Sequence, residues 1–269
     1  MRFQRWVGCL WFWLLEAWEM GVFILLIPLS WFWQAPLPPP KAAAHAQKKM
    51  VLVPGFLGRG LELLPLRREL QAAGCEVWIV PLGFQASDIA TKGQKLAAYL
   101  ETHGLQDCYL LGYSLGGWVA LNLPQHSRWR VSTLITLGVA FAGTPMAWLL
   151  SPLQAARQLI PGSSFLKKQP VILAEGYPKH LNFSAQADEI TASRQTSVLP
   201  SPDQALPNRQ ELCLPVWGHL NLVRRRQARQ ALIASLLVDL NAHRLSRTGS
   251  QGVVELEQDI LSQFQAVSR

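Results

Sequence analysis

The chain has 269 residues, 49% of them apolar, with a formal net charge of +8. That is enough to bury one substantial core, in one or two domains. Its basic residues are scattered rather than interleaved with aromatics on one surface, which argues against a nucleic-acid-binding module.

The first stretch belongs to a different solvent. Residues 1–34 carry six of the eleven tryptophans, and the apolar span 6–33 is long enough to cross a bilayer, with Trp at both ends as in an interfacial belt. It predicts an N-terminal membrane helix. Glu16 and Glu19 within the span, and Pro28, leave a second reading, a helix lying in the interface with the glutamates facing water. A third is a cleaved signal with Ala44-His45-Ala46 as its processing site. Arg2 and Arg5 before the span are matched by Lys41, Lys48 and Lys49 after it, so charge asymmetry assigns no orientation. Residues 35–48, rich in Pro and Ala, read as a semi-rigid linker.

From residue 49 the pattern alternates. "KMVLVPGF" is a short apolar run stopped by Pro54-Gly55, as expected of a buried parallel strand. "LELLPLRRELQAAG" follows with helical spacing, then the strand "CEVWIVPLG". A helix in "SDIATKGQKLAAYLETHG" has Ser87 or Asp88 as its N-cap. "CYLLGYS" is a third strand, "LGGWVALNL" a helix closed by Pro124, and "VSTLITLG" a fourth strand. Such alternation predicts an α/β fold with a mostly parallel sheet covered on both faces. A 40-residue stretch, about 139–178, then interrupts the pattern. It is too long for an ordinary connection and reads as a lid over the strand ends. "KHLNFSAQAD" and "ELCLPVWGH" supply two more strands, and "LNLVRRRQARQALIASLLVDL" one long amphipathic helix. Its Arg224, Arg225, Arg226 and Arg229 read as a solvated face, with contact to lipid headgroups as the other reading. The domain spans 49–240, and 241–269 form a tail with one further helix. Cys75, Cys108 and Cys213 open or sit in predicted strands and read as small buried hydrophobes. With Cys9 they form no CxxC pair, so no zinc site is indicated.

Ser114 sits in Gly112-Tyr113-Ser114-Leu115-Gly116, between a strand and a helix. In parallel sheets ligands bind at the carboxyl ends of strands. A serine on so sharp a turn holds its hydroxyl clear of the sheet, and flanking glycines are needed because side chains would obstruct the corner. The helix that follows aims its N-terminal N–H groups at the same point. A serine nucleophile needs a base. Of six histidines, His219 follows the last strand, on the same rim as Ser114. His45 lies in the linker, His103 and His126 at helix ends, His180 on the opposite edge and His243 in the tail. The base in turn needs a carboxylate. Asp188, at the end of the fifth strand, is the candidate, with Glu189 and Asp203 as rivals.

The order Ser…Asp…His, together with "VLVPGFLGRG", "LLGYSLGG", "GTPMA", "LIPGSSFL", "SAQADEI" and "VWGHLNLV", resembles the lipase and esterase branch of the α/β-hydrolases over residues 49–240. That resemblance implies an oxyanion hole made by the backbone N–H groups of Phe56 and Leu115. Pro54 stands where many relatives carry His. The usual two leading strands are absent ahead of "VLVPG", which implies a minimal sheet.

The expectation is therefore a membrane-anchored hydrolase of acyl esters or lipids acting through an acyl-enzyme. An acyltransferase on the same scaffold and a catalytically silent membrane scaffold are the alternatives. No phosphate loop, metal cluster or dinucleotide fingerprint is present in the sequence, so no cofactor is implied.

Overall fold

The computed structural model describes residues 48–168, 176–191 and 208–248, with Gly21 and Ser197. Apart from Gly21 and Lys48, the predicted membrane segment and linker lie outside these residues. So do the predicted helix of the C-terminal tail and Asp203. No helix among the described residues is long and apolar enough to cross a membrane.

Six strands form one sheet: β1 (Lys48–Val53), β2 (Cys75–Ile79), β3 (Cys108–Tyr113), β4 (Val131–Leu137), β5 (His180–Ala187) and β6 (Arg209–Trp217). Their order is β2-β1-β3-β4-β5-β6, and every neighbouring pair is parallel. Among the described residues no strand precedes β1. Successive side chains point to opposite faces, and in β1 both sets are apolar from Met50 onward. Val51 and Val53 pack on one side with helices α2 (Ile89–Thr102) and α3 (Leu115–Leu121), through Ile89, Leu96, Leu100 and Trp118. Met50 and Leu52 pack on the other with α1 (Leu64–Ala72), through Leu66 and Leu70. Two cores on two faces are why the strands read as continuous apolar runs rather than alternating ones.

Local chemistry sets the helix ends. Asp88 is the N-cap of α2: its carboxylate accepts from the Thr91 N–H at 2.7 Å and the Thr91 hydroxyl at 2.9 Å. Past α4 (Gln125–Arg128) and β4, the described residues of the interrupting stretch hold three short helices, α5 (Met146–Leu149), α6 (Gln154–Gln158) and α7 (Ser164–Lys167). It is anchored to the start of α2, because Ala155 N–H donates to Ala86 O at 3.0 Å and Gln158 Nε2 to Asp88 Oδ1 at 2.7 Å.

Three sequence expectations need correction. The helix after β6 is two helices, α8 (Asn221–Arg224) and α9 (Arg226–Thr248), separated at Arg225, whose ψ is 127°. Arg229 is not on the solvated face with Arg224, Arg225 and Arg226. It is buried, paired with Glu69 of α1 at 2.6 Å, and donates to the carbonyls of Val223 and Arg224 at the end of α8. Cys213 is exposed rather than buried, because β6 is an edge strand and the inward positions around it are Leu214 and Val216; Cys75 and Cys108 are buried.

Candidate active site

At the end of β3 the chain turns directly into α3, and Ser114 takes φ 53° and ψ −122°, a conformation that residues with a side chain seldom adopt. A Cβ at Gly112 would overlap the backbone of Gly116 and Gly117, and one at Gly116 the carbonyls of Val53 and Pro54. The glycines therefore reflect backbone packed against backbone. Ser114 N–H donates to Leu137 O at 2.8 Å, and Ser114 O accepts from Gly117 N–H at 3.0 Å. These bonds fix the corner between β4 and α3.

Asp188 and His219 come from the ends of adjacent strands, tied together by Gly218 N–H donating to Ala187 O at 2.8 Å. The Nδ1 of His219 lies 2.7 Å from Asp188 Oδ2, and both side chains are buried. The other oxygen, Oδ1, accepts from the N–H groups of Ile190 and Thr191, each at 2.9 Å. Burial by itself raises the Asp188 pKa; the charge and hydrogen bond of His219, with those two N–H groups, outweigh it and hold the carboxyl below its usual value. Tyr113 steadies the histidine from below, its ring 5.3 Å from the imidazole and its hydroxyl donating to His219 O at 3.2 Å.

The rivals separate cleanly. Glu189 accepts from the backbone N–H of His219 at 3.0 and 3.2 Å, so its carboxylate grips the loop and not the ring. His180 is the first residue of β5, buried, with Nε2 2.8 Å from Thr136 Oγ1. His103 caps the end of α2 and His126 lies in α4. His45 and His243 lie outside the residues whose side chains are described.

Ser114 and His219 line one cavity of about 320 Å³, at the small end of ligand pockets. Phe56 and Leu115 line it too, Leu115 as the first residue of α3. Met146, Leu149 and Leu150 from the inserted stretch close one side. They form part of an apolar ridge in which Leu149 is 75% and Trp148 64% exposed. Thr144 ties this ridge to the Asp188 loop by donating to Ile190 O. Among polar side chains on the wall, Glu62 and Thr144 were not read from the sequence. The available signal for Glu62 was a lone carboxylate in the apolar run "LELLPL", just after a glycine-rich loop.

A parallel sheet with a strained serine corner on β3, and an Asp–His pair at the ends of β5 and β6, defines the α/β-hydrolase class. The chain matches the family described as the alpha/beta hydrolase family over residues 26–255 and belongs to it. No curated protein sequence matches it. Among solved structures it is similar to Aspergillus fumigatus lipase B, with 17% identity and a TM-score of 0.59 over 74% of this chain and 55% of that one. It is similar to the mature form of a Bacillus licheniformis lipase, with 16% identity and a TM-score of 0.58 over 74% of this chain and 95% of that one. A Paleococcus ferrophilus monoacylglycerol lipase aligns at 14% identity and a TM-score of 0.53, over 75% and 97%. The chain thus spans about half the Aspergillus lipase and nearly all of the other two. At these identities the likeness concerns the fold.

Proposed function

We propose that this protein is a carboxylic-ester hydrolase working through Ser114, His219 and Asp188. The observation that carries the reading is the 2.7 Å contact between His219 Nδ1 and Asp188 Oδ2, with His219 and Ser114 on the wall of one apolar cavity. Asp188 fixes the tautomer in which Nδ1 carries the proton, leaving Nε2 as the base. His219 takes the Ser114 proton as Oγ attacks the ester carbonyl. The oxyanion rests on the N–H groups of Phe56 and Leu115, and the alcohol leaves with the proton from His219. Water, activated by the same imidazole, then frees the acid from the acyl-enzyme. Removing one such donor costs about 3–4 kcal/mol in comparable sites.

The apolar wall supports an acyl chain as the bound portion of the substrate, and the names of the similar structures, lipases and a monoacylglycerol lipase, agree with that class. The inserted stretch acts as the lid. Membrane attachment through residues 6–33 belongs to the same proposal and rests on their apolar, Trp-flanked sequence.

The test is Ser114→Ala in the full-length protein, assayed on a p-nitrophenyl ester series of increasing acyl length. Turnover abolished at every length is the expected result. Turnover equal to wild type refutes the assignment.

A further inference from the structure

Between β1 and α1 the chain runs Pro54-Gly55-Phe56-Leu57-Gly58-Arg59-Gly60, and nothing in that sequence alone makes it rigid. Leu57 has φ 54° and Gly60 φ 100°, so the loop holds one conformation unusual for a residue with a side chain. Gly58 N–H closes its tip on Gly55 O at 3.0 Å. Two ties come from outside: Gln85 Nε2 donates to Pro54 O, and the Arg59 guanidinium lies 5.4 Å from the centre of the Phe84 ring. One comes from inside. Glu62, in the turn Leu61–Leu63, folds its carboxyl back so that Oε2 accepts from Gly60 N–H at 3.1 Å.

The other oxygen of that carboxyl, Oε1, is buried without a hydrogen-bond partner. Burying a polar atom in this way costs stability, which the bond from Gly60 N–H to Oε2 offsets only in part. Oε1 occupies the space at Gly58 where a Cβ would otherwise sit. Gly58 is not in the left-handed region, so crowding, chiefly by the carboxyl and also by Gly55 O at 3.0 Å from the Cβ position, and not the backbone angle, accounts for the missing side chain. Glu62 also lines the cavity that holds Ser114. Burial raises its pKa, against the opposing pull of its own N–H and those of Gly55 and Gly60.

We propose that Glu62 is a positioning residue whose carboxyl, lodged between Gly58 and Gly60, braces from within the loop that carries the Phe56 N–H. The inference rests on the ester-hydrolase reading above, in which that N–H meets the oxyanion. A brace of this kind acts on the transition state and leaves substrate binding alone.

The experiment compares full-length Glu62→Ala, Gly58→Ala and the double variant with wild type and Ser114→Ala, measuring kcat and KM for p-nitrophenyl butyrate and the thermal midpoint of each. A methyl at 58 displaces the carboxyl without removing it. Each single variant is expected to lose about tenfold or more in kcat with KM within about twofold, since small misplacements in a catalytic site cost this much. The double variant should be no worse than the poorer single one, because both changes remove one brace. A single variant with kcat within twofold of wild type, a rise in KM alone, or losses that multiply in the double variant each overturn the proposal. Should Glu62→Ala fail to fold, Gly58→Ala decides by the same criterion. Ser114→Ala separates the two readings. Unchanged turnover there sinks the hydrolase assignment itself. Lost turnover there beside a fully active Gly58→Ala sinks only the brace.

Discussion

Replacing Asp188 by Asn removes a charge from the buried pair and leaves the shape almost unchanged, so the hydrogen bonds around it decide the outcome. Oδ1 accepts from two backbone donors, Ile190 and Thr191 N–H, both at 2.9 Å. An amide NH₂ turned toward them would face donors with a donor and leave both N–H groups buried and unpaired. The amide must therefore keep its oxygen there and turn its NH₂ toward His219 Nδ1, 2.7 Å away in the native pair. An imidazole that accepts at Nδ1 carries its proton on Nε2 and cannot take one from Ser114. The expected loss is that of a wrong tautomer, about 10⁴ in kcat or about 5–6 kcal/mol, with KM little changed. Steady-state assays on p-nitrophenyl butyrate measure it, and circular dichroism verifies that the variant is folded. Glu189→Gln is the control: its side-chain oxygen still accepts the His219 N–H, so kcat should stay within about tenfold of wild type. A folded Asp188→Asn variant that also stays within about tenfold shows that Asp188 does not set the tautomer, and a larger loss in Glu189→Gln counts equally against that role.

Three further outcomes follow from the packing. His180 is buried and its pKa is pushed down to about 3, first by desolvation and then by the charge of Arg209. The unfolded chain takes up that proton near the ordinary value of about 6.5 and the folded one resists it, so this stability is complete above that value and is lost as pH falls toward 3. The slope approaches about 1.4 kcal/mol per pH unit, and His180→Asn should flatten the fall of the urea midpoint between pH 6 and 4; equal slopes contradict it. Arg229→Met strands Glu69 and two helix-end carbonyls and should lower the unfolding free energy by about 2–4 kcal/mol in urea titrations. A loss below about 0.5 kcal/mol contradicts it. Leu150→Asp puts a charge on the cavity wall at the lid and should reduce activity on long-chain esters about tenfold more than on acetate esters. An equal effect at every chain length argues against the lid assignment.

Much of the fold was legible because its determinants are local. The apolar runs of β1 and β3 are continuous because both sheet faces are covered, and the Asp88 cap and the Gly-flanked Ser114 corner follow from residues a few positions apart. Asp188 and His219 could be nominated from strand ends alone, with Asp188 preferred to its neighbour Glu189; what the sequence does not carry is that one carboxylate meets the imidazole and the other a backbone N–H. What escaped the sequence depends on distant contacts. Arg229 reads as one more cation in a basic run until Glu69, 160 residues earlier, is seen beside it. The break at Arg225 is supported by that same side chain. Glu62 resembles an ordinary exposed residue of an amphipathic run until its carboxyl is found folded into the preceding loop.

The proposed hydrolase stands on Ser114, at its strained backbone corner, acting as a nucleophile activated by the imidazole of His219. Its most direct test is stoichiometric reaction of the full-length protein with a fluorophosphonate, followed by mass spectrometry of the modified peptide. One adduct per chain is expected, on Ser114, with its formation slowed by several orders of magnitude in His219→Ala. A folded protein that remains unmodified, or an adduct on another residue that forms as fast in His219→Ala, contradicts it.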